Sequence, residues 1–521
     1  MIKNKTTLFF LILFCMLQHS ASQNEPDHIE SSSSKQQMVN AAESNEQAIL
    51  EQYIQTGLES NLAIKQKQAS YQKSIQALKE AKGMFYPAVS FNARYSVAHG
   101  GREIDLPIGD MLNPVYENLN MINQHLSQIG AISPGQINQY PLIDNETINF
   151  LRPTEHETKL RLMQPLFNPS IYYNHKIKEE LTQVEKHNLD AYKRHLVAEI
   201  KQAYYQYLQT IELKESLLEN KQLVRENIRV NQRLVENDKQ TIENVYKAQE
   251  ELAKIEQEIA GATEKQKSAA AYFNFLLNRP LLDEIRVPAS SAYDTFINPE
   301  DLFRNILMKS SGNTEFKTGA PVPSTDNAQR IIIDTLQSNA HAYREEINQL
   351  QDYIHVKSYQ QSLYEGNKLP TLSTVVDYGF QGASYEFNME QDFVLASVVL
   401  KWDLFKGLQN RAKIEQAAID KTILEEQYEE LKSKIDLEII NAFYKLESAY
   451  SAVIAAQKQL KTSSQVYKLV KKKYQLGQIP YVRMLEARTS FFNGRQNLIM
   501  KKTAFKMKYA KLERVAGLYQ F

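Results

Sequence analysis

The second half of this sequence partly repeats the first, and both halves order their elements in a way few folds accommodate. In each, a long heptad-patterned helix gives way to two short alternating strands, after which long helices resume. Residues 44–286 form the first helix-strand-strand-helix repeat, with strands near 87–98 and 157–166. Residues 327–521 form the second, with strands near 370–381 and 392–403. The opening helix is expected from about Ser44 to Gly83, its counterpart from about Asn327 to Gly366. Both carry a Ser-Asn pair, Ser60-Asn61 and Ser338-Asn339, and both stop at a strand opening with proline, at Tyr86-Pro87 and Leu369-Pro370. Proline cannot continue a helical ladder and pushes its predecessor toward extended geometry. At the first position of a strand its missing donor does little harm.

The strands alternate. Val89, Phe91, Ala93, Tyr95 and Val97 share one face, opposed by Ser90, Asn92, Arg94 and Ser96. Leu160 and Leu162 alternate with Lys159 and Arg161. Leu372, Thr374, Val376, Tyr378 and Phe380 oppose Ser373, Asp377 and Gln381, and Val394, Ala396, Val398, Leu400 and Trp402 oppose Ser397, Lys401 and Asp403. A half-buried soluble sheet has the same period of two. The charged opposite face suits water, which leaves the apolar face free to meet lipid, and strands of about nine to eleven residues can cross a bilayer at a tilt. Open strand edges are not tolerated in hydrocarbon. Four strands are too few for a solute-passing barrel, so several copies of the chain have to close one.

The helices are long. Leu213, Leu217, Val224, Ile228 and Val235 recur at spacings of four and seven. Ile435, Ile439, Ala442, Leu446, Ala449, Val453, Ala456 and Leu460 repeat at four and three, the pattern of helices packed side by side. A helix from about Ser170 to Glu236 would rise about 100 Å at 1.5 Å per residue, which a coiled-coil or tubular assembly explains more naturally than a globular domain. Turns are expected at Glu236-Asn237-Asp238 and at Leu476-Gly477-Gln478-Ile479-Pro480. There Gly477 can take left-handed geometry and Pro480 can open the next helix. Lys468, Lys471, Lys472 and Lys473 suit the preceding helix's C-terminal dipole.

Compartment follows from the front of the chain. Lys3 and Lys5 precede an apolar run from Leu8 to Leu17, and Ser20 and Ser22 supply small residues for cleavage, so residues 1–22 read as an export signal. Residues 23–43 form a polar N-terminal segment, and Cys15 is the only cysteine. A mature chain without thiols has neither disulfides nor a cysteine metal site. Without the two signal lysines, the balance of 61 basic and 61 acidic side chains becomes a formal charge of −2. That argues against nucleic acid as a partner, since phosphate binding needs a concentrated basic surface. Residues 287–326, with four prolines and several serines between Val287 and Asp326, read as an inter-repeat linker or equatorial belt. The connection His99–Glu155, rich in Asn, Pro, Gly and Ile, reads as a variable surface loop in preference to a plug or receptor surface.

Four motifs carry a resemblance. Gln164-Pro165-Leu166-Phe167 enters a helix, and Trp402-Asp403-Leu404-Phe405-Lys406-Gly407 occupies the matching place in the second half. Gly477 to Leu485 is followed by Glu486-Ala487-Arg488, and Leu276-Leu277 closes the first half. In their order and spacing the chain resembles the TolC-like outer-membrane efflux and secretion family, over essentially Ser44 to Tyr519. Val482 and Arg483 depart from the residues usual there. The resemblance implies a mainly α fold with transmembrane β, namely a homotrimer with a twelve-stranded outer-membrane β-barrel continued by a long periplasmic α-helical barrel. It also implies outer-membrane lipid around the barrel, a periplasmic adaptor protein, and an inner-membrane pump or ABC transporter. On this reading Asn237, Asp238, Gly477, Gln478, Pro480 and Arg483 are the expected periplasmic entrance and adaptor contact. Pro165, Phe167, Trp402, Phe405 and Gly407 are the expected strand-to-helix motif residues.

Enzymatic chemistry has little support. The sequence has no Gly-rich phosphate loop, no zinc-spaced histidine group and no His-Glu-x-x-His, so neither cofactor nor metal is expected. His125, His156 and His175 read as surface or lumen residues, and Glu250-Glu251 and Glu429-Glu430 as solvated helical faces. The expected function is an exit duct of an efflux pump or type I secretion system. A non-specific porin and a structural periplasmic coiled coil are the competing readings.

Overall fold

The computed structural model describes residues 46–288 and 326–519, apart from 134, 136 and 137. The expected signal, the polar segment 23–43 and nearly all of the linker 287–326 lie outside the described residues. In chain order the elements are α1 (46–60), α2 (Leu62–Gly83), β1 (Ala88–Val97), β2 (Glu103–Leu106), α3 (Ile108–Gln128), β3 (Glu146–Asn149), β4 (Thr154–Phe167), α4 (Pro169–Glu236) and α5 (Glu243–Leu276). The second half supplies α6 (Asp326–Tyr343), α7 (Glu345–Gly366), β5 (Thr371–Gly382), β6 (Asp392–Lys401), α8 (Gln409–Gln475) and α9 (Tyr481–Val515). They divide into two compact units. Among the described residues, one is built from 46–69, 187–288, 326–347 and 429–519, the other from Ser70–Lys186 and Asn348–Tyr428.

The second unit contains the main sheet, an antiparallel four-stranded array in the order β1-β4-β5-β6. Its register aligns like with like. Val89, Leu162, Val376 and Ala396 form one apolar row across all four strands, and Phe91, Leu160, Tyr378 and Val394 form the next. Val89, Phe91, Val394 and Val398 on this face are each at least 66% exposed. The opposite face is charged: Arg161 grips Asp377 through two hydrogen bonds of 2.7 and 2.8 Å, while Lys159 lies 3.5 Å from Asp377 and 2.5 Å from Glu157. The sheet therefore has one exposed apolar face and one face that carries an ionic ladder beside Leu395 and Val399. β1 and β6 are its edges, each pairing with one strand of the chain.

The connection expected as a surface loop has structure of its own. β2 and β3 pair, and α3 between them is a helix of 21 residues. Asn113 and Asn120 of α3 each make a two-way amide bond to the backbone of Ile143 and Tyr140, and Asn123 donates to Asn138 O. The amides do what a strand partner would do, so the returning chain rides along the helix. His156, expected at the surface or lumen, is buried there: its Nε2 lies 2.6 Å from Ser384 O and its ring stacks on Tyr385.

The first unit is helical. Tyr53 and Ile54 of α1 pack with Leu196, Ile200, Tyr204, Phe273 and Leu277, at about 1.5–3 kcal/mol per fully buried large side chain. On α8, Ile435, Ile439, Ala442, Leu446, Val453 and Ala456 are buried, with Ala449 and Leu460 half-buried. On α4 the stripe is mixed. Leu217 and Val224 are buried, but so are Asn227 and Asn231.

The Ser-Asn pairs have a structural purpose. Asn61 Nδ2 donates to Leu276 O at the end of α5 (2.8 Å), and Asn339 Nδ2 donates to Ala516 O just past α9 (2.6 Å). Each half thus ties its opening helix to the last carbonyls of its own final helix, which have no intrahelical partner. The opening helices are not continuous as expected. The first breaks at Asn61, whose Oδ1 caps α2 by accepting from Ala63 N and Ile64 N, and the second breaks at Arg344.

Candidate functional site: the helical turns and the strand-to-helix junctions

In the first unit, the α4–α5 and α8–α9 turns close with the same hydrogen bonds. Gly477 N donates to Tyr474 O and Gln478 N to Lys473 O, with Gly477 at φ 72°. Asp238 N donates to Val235 O and Lys239 N to Leu234 O, with Asp238 at φ 54°. Both are left-handed caps of the Schellman type. Pro480 opens α9 in extended geometry (ψ 154°), and Asn237 Nδ2 bonds back to Arg233 O. Arg483 is exposed and pairs with its helical neighbour Glu486 at 3.1 Å. Leu476 is exposed as well.

Behind these turns the two hairpins are joined by residues whose linking role is not visible in the sequence. The Tyr474 hydroxyl of α8 donates to Asn231 Oδ1 of α4 and lies 3.2 Å from Gln240 Oε1, which itself accepts from Asn244 Nδ2 at 2.7 Å. Arg488 of α9, fully buried, is ion-paired with Glu251 of α5. Tyr467, Tyr474, Tyr481 and Met484 surround these links. Burial pushes the Tyr481 hydroxyl up to about 12, against the opposing charge of Arg488. Burial also raises Tyr474, with the Gln240 hydrogen bond working the other way, so its hydroxyl stays a neutral donor to Asn231 at physiological pH. Glu251, read as part of a solvated face, is instead 18% exposed in its side chain and engaged by Arg488. Its neighbour Glu250 does face solvent. Heptad position shows which way a carboxylate points only when the facing helix is known.

In the second unit, the sheet brings the two strand-to-helix motifs to the same end. Pro165 sits at a register shift between β4 and β5, where its missing N–H costs no ladder bond, and Leu166 bulges outward. Phe167 ends the strand, Asn168 Oδ1 accepts from Ser170 N, and Pro169 takes the first helical position. Gln164 Nε2 donates to Phe85 O at 3.0 Å, tying this junction to the entry of β1. In the other motif, Trp402 Nε1 donates to Lys368 O (2.9 Å), Asp403 pairs with Lys406 (2.6 Å) and Asn410 Nδ2 donates to Tyr364 O (2.8 Å). Gly407 and Leu408 follow at φ 58° and 63°. Leu404 and Phe405 are 77% and 78% exposed. Beside this end lies an apolar cavity of about 560 Å³ lined by Phe85, Leu166, Phe167, Tyr172, Gly366 and Leu369 among others.

Elsewhere in the second unit, Glu180, Asp352 and His355 place their polar atoms within 4.8 Å of one another, with His355 Nδ1 3.6 Å from Glu180 Oε2. The three side chains form one polar cluster between α4 and α7.

With this geometry in place, comparison with known proteins shows what the chain is similar to. Residues 336–518 match the family model "Outer membrane efflux protein". Among solved structures, the chain is similar to the CmeC outer-membrane channel of Campylobacter jejuni, with 13% identity, TM-score 0.66, and 90% and 86% of the two chains covered. It is similar to CusC at 13% identity, TM-score 0.67, with 90% and 92% covered. It is also similar to the open-state MtrE channel of Neisseria gonorrhoeae at 14% identity, TM-score 0.64, with 90% and 89% covered. No curated protein sequence matches the chain. The resemblance carried by the four motifs is thus borne out, in sequence across 336–518 and in fold across nine-tenths of the chain.

Proposed function

We propose that this protein is the outer-membrane exit duct of a tripartite efflux pump or type I secretion system. Three copies would close a twelve-stranded barrel, continued by a periplasmic helical barrel. A periplasmic adaptor and an inner-membrane pump or ABC transporter would complete the path. The observation that carries this reading is the sheet: an exposed apolar face, an opposite face that carries an ionic ladder, and two open edges. A lone sheet of that kind has no stable home in water or in lipid. Closure with further copies satisfies both edges and hides the ladder in an aqueous lumen. The family match across 336–518 and the channel-like fold support the same conclusion. The subunit itself would be a passive route, with energy supplied by the inner-membrane partner.

The exposed turn residues Asn237, Asp238, Gly477, Gln478, Pro480 and Arg483 would form the periplasmic entrance and the adaptor contact. Cysteines at Asn237 and Gln478 should cross-link to a co-expressed adaptor, and a yield no higher than background removes that assignment. The purified protein in a planar bilayer should show only small conductance by itself. Persistent large open conductance would make it a porin. Absence from outer-membrane fractions together with no conductance would make it a structural coiled coil.

A further inference from the structure

The 402–408 segment is built in a way one chain does not account for. Its base is fastened by the Trp402–Lys368, Asp403–Lys406 and Asn410–Tyr364 contacts. Between these anchors Leu404 and Phe405 are left more exposed than almost any other large apolar side chains of the unit. Leu408, itself two-thirds exposed, sits at φ 63°. That conformation is strained for a branched, bulky residue and persists only where the surroundings fix it. Across the sheet, at the same end, lies the apolar cavity whose rim begins at Phe85, just before β1.

Strand order states what meets what when copies join. β6 of one copy and β1 of the next are the free edges, and β1 rises from the end at which β6 descends. Antiparallel closure therefore sets Trp402 to Leu408 of one copy beside Phe85 to Pro87 of the next. Neighbouring strands are about 4.8 Å apart. Phe85 would lie one strand spacing from the seam and Leu166 two, within reach of a phenylalanine on a seven-residue segment. We infer that Leu404 and Phe405 of each copy insert into the apolar cavity of the adjacent copy, between Phe85, Leu166 and Tyr172, and lock the barrel at its helix-bearing end. The occupant is a second copy of this chain, and the strained Gly407-Leu408 turn aims the two side chains at it. The inference rests on the proposed closure of the barrel from several copies.

The test uses the full-length protein in outer membranes, with paired cysteines and a short bismaleimide. Phe405→Cys with Phe85→Cys reports the lock, and Val398→Cys with Val89→Cys, both on the apolar face, reports the β6–β1 seam alone. Both pairs should convert most of the chain into cross-linked dimers and trimers. Seam cross-links without lock cross-links overturn the lock and leave the barrel standing. No cross-links from either pair overturn closure from several copies, and the lock with it. A second measurement guards against chance proximity: Leu404→Ala/Phe405→Ala should lower the melting midpoint of the detergent-solubilised assembly by several degrees. An unchanged midpoint, with brominated phospholipid quenching Trp402 fluorescence as strongly as an exposed indole, assigns the segment to lipid and overturns the lock.

Discussion

Arg194 and Glu345 are both about nine-tenths buried, bonded through Nε and Nη2, and the guanidinium also donates to Tyr519 O at 2.5 Å. A pair this dry contributes little net stability, because desolvation offsets its attraction, yet removing one partner strands the other charge. Arg194→Ala should therefore destabilise the helical unit by about 3–5 kcal/mol, measured by denaturant unfolding in detergent. Arg194→Met with Glu345→Leu should recover most of that loss. Glu346 nearby gives a pH dependence. Burial alone would raise its carboxyl, but the hydrogen bond and charge of Arg344 prevail and hold it below its ordinary value of 4.5. Its contribution is thus complete above that value and is lost as pH falls through the lower folded-state value. Glu346→Gln should flatten the acid limb of a stability-pH profile and leave the limb above neutrality unchanged. None of these pairings was legible in the sequence. Arg194 lies 151 residues from Glu345, and only folding decides which of many carboxylates a buried arginine meets.

The repeat was visible between elements but weak in identity, and the helix ends explain why. α4 and α5 end in left-handed Asp238 and Asn278, while their counterparts α8 and α9 end in left-handed Gly477 and Gly517. All four make the same pair of closing hydrogen bonds. One geometry is served by different residues, since Asp and Asn tolerate that conformation at some cost and glycine at none. Asp238→Gly should stabilise the α4–α5 hairpin by roughly 0.5–1 kcal/mol and Gly477→Ala should weaken α8–α9 by about 1 kcal/mol, both read by hydrogen exchange at the turns. Strand alternation was legible because period two needs only neighbours in sequence. The α3 excursion was not: its fastening rests on Asn113, Asn120 and Asn123 side chains pairing with a returning chain 15 to 30 residues away. Asparagine-rich composition reads equally well as loop.

At the scale of the whole molecule, the proposed duct, if closed in isolation, needs something that holds it shut. Farther along, Arg495 to Glu219 and Lys201 to Glu513 join the two hairpins of one copy; beside the turns, Tyr474 to Asn231 and Arg488 to Glu251 do so. Residues at the turns themselves, such as Gln478 and Arg483, were the ones the sequence offered, because glycine and proline mark turns; a clamp one or two turns back has no such punctuation. If passage requires the α8–α9 hairpin to part from α4–α5, these links break on opening and stabilise only the closed state. Tyr474→Phe removes one hydrogen bond worth about 1 kcal/mol, a roughly fivefold shift in the open-to-closed ratio. Arg488→Leu with Glu251→Leu removes the ion pair without stranding a charge, so folding should survive. Single-channel recording in a planar bilayer should show open events becoming more frequent in Tyr474→Phe and more frequent again in the triple variant. The open-channel conductance should be the same in both, because neither change alters the strands. Equal open frequency in wild type and triple variant, with the assembly intact, would mean that the hairpins move together and that the constriction lies elsewhere.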